Sequence, residues 1–247
     1  MRAAVLVGRR QFALLDAPVP EVGEEEVLIK IAYTGICGSD VHVFNGEQDY
    51  PYPVALGHEI TGTVARTGKL VEAFKPGDRV TLLPSESCGQ CDFCREGREN
   101  LCDNITCIGE MPENGGFAEY IRVKSSMVYA VPDELSLEEA VFIEPAAAAH
   151  YIARGVCGRA RPESTVGILG MGTIGLLVLQ MLKKVFGFRT VHGFDILKPR
   201  LNLAVACGAD AVHDMNEPFP EDWPRRSFDS PDLYKPGIFD VLVDCAA

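Results

Sequence analysis

The sequence predicts an α/β chain of two parts: a compact β-rich barrel, then a doubly wound parallel sheet. Three observations carry the prediction. Up to about Pro132, short β-prone runs are punctuated by Gly, Pro and Asp. From Thr165 onward, strand-like and helix-like segments alternate, the signature of βαβ units. At 247 residues, 47% hydrophobic and 23% charged, the chain can bury a real core.

The elements follow in order. The opening "MRAAVLVGRRQFALLD" reads as a first strand and a turn. Its charges follow the apolar run and no small-residue cleavage site is present, so a signal peptide is not expected. Four further β-prone runs are "EVLIKIAYTGI" (Glu26 to Ile36), "EITGTVARTG" (Glu59 to Gly68), "DRVTLLP" (Asp78 to Pro84) and "GFAEYIRV" (Gly116 to Val123). "DELSLEEAVFIEPAAAAHYIARG" has helical composition, and Pro145 predicts one helix, a break and a second helix. Then come strand "TVGIL", helix "TIGLLVLQMLKKVFG", strand "TVHGF", helix "KPRLNLAVACG", strand "DAVH" and strand "FDVLVDC". Between the last two strands, "NEPFPEDWPRRSFDSPDLYKPG" holds five prolines and Trp223, and an irregular surface crossover is expected there.

Composition excludes some functions. A formal charge of −12 offers nothing to offset phosphate repulsion, against general nucleic-acid binding. No apolar run reaches the length of a membrane span. Nine cysteines without a secretory signal are expected to be thiols and metal ligands, and the cytoplasm is the default compartment.

Four of those cysteines stand close together. Cys88, Cys91, Cys94 and Cys102 follow C-x2-C-x2-C-x7-C. Zinc accepts four thiolates tetrahedrally, and a cysteine-rich loop can supply that geometry. The first three spacings also fit an iron–sulfur run, but that pattern continues with x3 and a Pro, whereas here the gap is x7 and Asp103 follows. The expectation is structural zinc. A closed four-thiolate shell has no open position, so the loop braces the fold and does no chemistry.

A second metal site is more scattered. In "GICGSDVH" and "GHE", Cys37 and His58 form a plausible ligand pair. A catalytic zinc takes three protein ligands and keeps one position for water or substrate. Glu144 is the third candidate, because a carboxylate inside the apolar run "FIEPAAAAH" is poorly explained by burial alone. Cys37 and Glu144 together would neutralise the charge of the ion. Asp40 could accept the second N–H of the His58 ring. Ser39 and His42 could carry a proton outward from a bound alcohol.

"GILGMGTIG" contains a G-x-G-x-x-G: Gly170, Gly172 and Gly175, with Thr173 and Ile174 inside it. It follows a predicted strand and opens a predicted helix, the context in which the motif means dinucleotide binding. Asp195 ends the next strand, twenty residues after Gly175, where a carboxylate takes ribose hydroxyls and repels a 2′-phosphate. NAD is therefore expected ahead of NADP, a preference softened by Lys198 and Arg200 nearby. Asp195 also fits a helix N-cap, which is compatible with the same role.

"GICGSDVH", "GHE", the cysteine loop, "PGDRV", "GGFAEY", "EPAAAAH" and "GMGTIG" come in an order that resembles the zinc-dependent medium-chain dehydrogenase/reductase family, over essentially the whole chain. The resemblance implies a GroES-like catalytic domain over 1–150 and a Rossmann domain over 151–247. It implies zinc-assisted hydride exchange between an alcohol and NAD, two zinc ions per chain and a homo-oligomer at full length. Cys37, His58 and, in polyol-type members, Glu144 match the catalytic zinc shell. Glu59 matches a conditional ligand, Ser39 the hydroxyl beside the reacting oxygen, His42 a relay histidine and Arg200 a contact to the adenosine ribose. A glutamate where simple alcohol dehydrogenases carry cysteine makes the chain similar to the sorbitol, butanediol and threonine branch. Family members usually continue past the strand that "FDVLVDCAA" resembles, so a C-terminally truncated chain is expected, with residues 239–245 as an apolar edge.

Two readings follow: an NAD-dependent zinc alcohol or polyol dehydrogenase, or a noncatalytic remnant that binds zinc and a dinucleotide and acts through a partner. Cys107, Cys157, Cys207 and Cys245 read as small buried side chains. His150 and His192 read as structural, and His213 as a strand-end surface residue.

Overall fold

The structure, a computed structural model, describes residues 1–48, 50–109, 115–218 and 239–246. The chain divides into two compact units, Met1–Glu144 and Pro145–Ala247.

In the first unit the opening stretch folds as a hairpin of β1 (Arg2–Gly8) and β2 (Gln11–Asp16), one strand more than the sequence suggested. The extra strand is nearly all exposed, so no buried face marks it in the sequence. Leu6 of β1 pairs with Val54 through both backbone bonds, at 2.8 and 3.1 Å. Then come β3 (Glu26–Thr34), α1 (Gly38–Asn45), β4 (Ile60–Thr67), β5 (Arg79–Leu82), β6 (Ser85–Glu86), α2 (Asp92–Arg95), β7 (Thr106–Cys107), β8 (Tyr120–Lys124) and β9 (Val128–Ala130). Five of these form an antiparallel sheet in the order β8-β3-β4-β5-β9. Alternate β-branched residues, Val27, Ile29, Ile60, Val64 and Val80 among them, point to one core. β6 and β7 pair as a small ribbon, and the cysteine loop lies between them.

A short helix and a longer one follow. α3 (Leu137–Ala140) opens with a capping box, in which Ser136 and Glu139 satisfy each other's backbone N–H groups. α4 (Ile143–Cys157) begins after a two-residue break. Pro145 stands in its first turn, where the missing N–H costs no helical bond.

The second unit is the expected alternation: β10 (Thr165–Leu169), α5 (Thr173–Lys184), β11 (Thr190–Asp195), α6 (Lys198–Ala206), β12 (Ala211–Asp214) and β13 (Val241–Asp244). All strand pairs are parallel, in the order β12-β11-β10-β13. Val166, Ile168 and Val191 are fully buried against Val178, Leu179 and Leu182 of the α5 face. The proline-rich segment falls almost wholly outside the described residues.

Several local expectations change. Cys157 is exposed, and Cys107, Cys207 and Cys245 are only partly buried, so none is a core thiol. His213 is not a surface strand end. Its ring stacks on Phe194 at 4.7 Å and bonds the His192 ring at 3.1 Å across β11 and β12. Burial lowers the pKa of both rings, favouring a neutral pair. Among the described residues no helix is long and apolar enough to cross a membrane.

Candidate functional site

The β3–β4 pairing assembles the first site. Thr34 stands opposite Ile60, and the Gly35 amide continues the ladder to the Glu59 carbonyl at 2.8 Å. The chain then leaves β3 through Cys37, the N-cap of α1, while His58 and Glu59 lead into β4. Two separate stretches of sequence therefore deliver their polar residues to one end of the sheet. Gly57 makes the approach possible. Its φ is +93°, and a Cβ there would stand 2.5 Å from the Phe117 ring.

Cys37, His58 and Glu59 each place a ligand atom within 4.8 Å of the others. The site is only partly open, and His58 is 8% exposed. Burial opposes a charge on His58, but the Cys37 sulfur, Asp40 and Glu144 overcome it and raise its pKa to about 9. Cys37 is lowered, first by His58 and then, against burial, by Ser39. Both shifts favour a thiolate facing an imidazolium. Burial, with the charges of Glu144 and Asp40, raises Glu59.

Glu144, in the first turn of α4, stands outside the three-residue group, though its charge acts on both His58 and Glu59. Asp40 is buried and does something that spacing did not reveal. Its Oδ2 accepts the Cys37 amide at 2.8 Å and its Oδ1 accepts the Gly57 amide at 3.1 Å. The His58 Nδ1 stands 4.0 Å from Oδ1, beyond a hydrogen bond. Asp40 therefore clamps the backbone beside each ligand instead of bonding the ring. The Ser39 hydroxyl lies close enough to favour the Cys37 thiolate, yet makes no hydrogen bond of normal geometry. Ser39 Oγ and His58 Nδ1 are both buried and lack hydrogen-bond partners. His42, half-exposed, pairs through Nδ1 with Glu47.

The cysteine loop forms the second cluster. Sulfur pairs Cys91–Cys94, Cys91–Cys102 and Cys88–Cys94 stand at 3.4, 3.9 and 4.0 Å. Four sulfurs held tetrahedrally at about 2.3 Å from an ion would stand about 3.8 Å apart. None of the nine cysteines forms a disulfide. Backbone N–H groups of Cys88 and Asn104 point at the Cys102 sulfur at 3.2 and 3.4 Å. The amides of Gln90 and Cys91 lower Cys88 to about 6, while burial and the sulfurs of Cys91 and Cys102 push Cys94 up to about 12. Four thiols this close cannot all ionise without a cation, and that donor set suits zinc.

In the second unit the glycine loop divides its tasks. Gly170 has φ +84°, and a Cβ there would stand 2.7 Å from the Ala246 nitrogen. At Gly175 a Cβ would lie 1.9 Å from the Gly170 carbonyl, so α5 packs directly on the turn. A Cβ at Gly172 would meet nothing within 4 Å, which leaves open space beside the backbone. Thr173 and Ile174 begin α5, whose first-turn amides have no helical acceptors. Asp195 is 5% exposed and accepts the Met171 and Leu197 amides, each at 2.8 Å. Burial would raise its pKa, but those amides and Arg200 hold it below the usual carboxylate range. Arg200 Nη1 lies 3.5 Å from Asp195, and Lys198 Nζ lies 3.9 Å from Asp214.

Sequence reading missed Gly35 and Gly57 as parts of the site. The signal was there, a glycine shortly before each ligand in "GICG" and "LGHE", but its reason is visible only once the strands pair.

Comparison with known proteins places this arrangement. Residues 23–133 match the alcohol dehydrogenase GroES-like domain. The "Sorbitol dehydrogenase" of Bacillus subtilis is 39% identical over 222 residues, 88% of this chain and 62% of that protein. The "Probable D-xylulose reductase A" of Aspergillus terreus is 32% identical over 247 residues, 98% of this chain and 69% of that protein. The crystal structure of galactitol-1-phosphate dehydrogenase from Escherichia coli superposes with a TM-score of 0.81 at 33% identity. That match covers 87% of this chain and 62% of the other. The chain thus spans less than two thirds of the length of two of these three relatives.

Proposed function

From the premise that this chain belongs to the zinc-dependent medium-chain dehydrogenase/reductase family, in its polyol dehydrogenase branch, we propose that it carries the chemistry of an oxidoreductase that transfers hydride between a secondary alcohol or polyol and NAD. The observation that supports this most is the convergence of Cys37, His58 and Glu59 within 4.8 Å. A thiolate, an imidazole and a carboxylate form a donor set for zinc with room for a fourth ligand. The orphaned Ser39 hydroxyl beside it suits a site that expects further polar atoms. Glu59 supplies the third donor in this reading, and Glu144 acts on the site through its charge. The four cysteines of the loop hold a second, structural zinc.

When bound, the catalytic zinc lowers the pKa of an alcohol and the nicotinamide accepts its hydride. The chain's own residues do the rest. Cys37, His58 and Glu59 bind and orient, with Asp40 holding the backbone of the Cys37 and His58 stretches. Ser39 Oγ accepts the alcohol proton while it releases its own. His42, one helical turn on, passes it to solvent with Glu47 supporting its ring. Asp195 receives the adenosine ribose, with Arg200 beside it, and the open backbone at Gly172 meets the pyrophosphate. Asp195 favours NAD over NADP.

The named dehydrogenases and reductases among the relatives favour the dehydrogenase reading over the remnant one. A cytoplasmic setting is proposed with the former. A homo-oligomer is the assembly proposed for a full-length protein. The test is NADH formation by the zinc-loaded chain across sorbitol, xylitol, butanediol, L-threonine and hexitol phosphates. Turnover lost in Cys37→Ser and His58→Ala supports the proposal. Zinc and NAD binding with no turnover on any of these, in this chain and in one extended to family length, contradicts it.

A further inference from the structure

Resting on that reading, we infer that Gly35 is a positioning residue for the Glu59 carboxylate. Gly35 stands two residues before Cys37, and its amide bonds the Glu59 carbonyl at 2.8 Å. A Cβ on Gly35 would lie 1.9 Å from Glu59 Oε2 and 3.0 Å from both the Cβ and the Cδ of Glu59. The carboxylate thus occupies the space that any other residue at position 35 would fill. The backbone does not explain this glycine, because Gly35 lies outside the left-handed region where glycine is otherwise required.

The clash is selective. The closest atom is the end of a flexible side chain, which can swing away, and the Glu59 Cβ at 3.0 Å has to give by only a few tenths of an ångström, whereas Gly62 and Gly68 press on backbone oxygens at 2.3 and 2.0 Å. A methyl group at 35 would therefore leave the β3–β4 ladder in place and drive the carboxylate out of the position it shares with Cys37 and His58. Gly38, on the other side of Cys37, faces open space and serves as the control. The absence of a side chain at 35 is what lets the ligand group assemble from two strands.

The experiment measures zinc affinity by chelator competition, with zinc alone as the probe, in the whole chain. The cysteine loop provides an internal reference. Gly35→Ala should weaken the Cys37–His58 site about 10- to 100-fold, the range for residues that orient metal ligands. The cysteine-loop site, circular dichroism and Gly38→Ala should not change. Glu59→Ala should weaken the same site, and Gly35→Ala added to it should weaken it no further. An unaltered affinity in Gly35→Ala beside a weakened Glu59→Ala overturns the inference. So does a Gly35→Ala effect that persists in the Glu59→Ala background. If Glu59→Ala has no effect, the ligand role of Glu59 fails first and the inference falls with it. Should Gly35→Ala not fold, recovery of folding in the double variant supports the inference and continued failure overturns it.

Discussion

The Asp40 carboxylate accepts the Gly57 amide at 3.1 Å while its other oxygen accepts the Cys37 amide at 2.8 Å. One buried side chain thus fixes the distance between the two stretches that bring Cys37 and His58 together. Asp40→Ala leaves the buried Gly57 N–H and the partly buried Cys37 N–H without this acceptor, at a cost of about 1–3 kcal/mol for the buried one and less for the other. Urea unfolding should report that loss. Zinc content should fall by the one ion of the Cys37–His58 site and leave the cysteine-loop ion in place. Asp40→Ala with full zinc content would show that the clamp is dispensable.

Zinc uptake at the Cys37–His58 site should depend on pH with a definite sign. The metal-free pair holds a proton on His58, whose pKa is raised to about 9, and zinc must displace it. Apparent affinity should rise between pH 6 and about 9 and then level off, with one proton released from His58 per zinc bound. Titration in weak buffer measures both. The stability of the metal-free fold runs the other way. Because the folded pKa of His58 lies above the unfolded value, the stability contributed by its proton is complete below about 6.5 and is lost as pH rises through about 9.

In the cysteine loop, Cys91→Ser should remove one zinc per chain and leave NADH binding intact, because the dinucleotide loop belongs to the other unit. Metal analysis beside an NADH fluorescence titration checks this. Loss of both zincs would tie the two metal sites together in a way their separate positions do not suggest.

The glycines of the dinucleotide loop should separate by phenotype. Gly175→Ala drives a methyl group to 1.9 Å from a backbone carbonyl and should cost at least about 1–3 kcal/mol. Gly172→Ala meets nothing, so stability should stay within about 0.5 kcal/mol. NADH binding should nevertheless weaken about tenfold or more, the order of losing a charge-assisted contact to a backbone amide. Thermal unfolding and fluorescence titration together distinguish the two.

Much of this was legible before the strands were paired. The βαβ alternation from Thr165 announced itself because parallel strands buried on both faces read as short apolar runs between helices. "TVGIL" became β10 residue for residue. The cysteine loop was legible because its four ligands are near in sequence, so spacing alone encodes their geometry. The other metal site was harder. Its donors come from the ends of two separate stretches, after β3 and before β4, and a third candidate, Glu144, sits far along the chain in α4, so spacing alone does not choose between Glu59 and Glu144. Gly35 and the amide clamp of Asp40 depend on the β3–β4 register and leave no periodic trace. β2 escaped notice because it is nearly all exposed and carries no alternation to read.

The proposed function requires that Cys37, His58 and Glu59 hold a zinc ion with an open side. X-ray absorption at the zinc edge, on the zinc-loaded chain and on Cys37→Ala, tests it most directly. The expected result is two zincs per chain, one surrounded by sulfur alone and one by a single sulfur with nitrogen and oxygen, the second vanishing in Cys37→Ala. A chain that binds only the all-sulfur zinc, or whose mixed-ligand zinc survives the loss of Cys37, would contradict it.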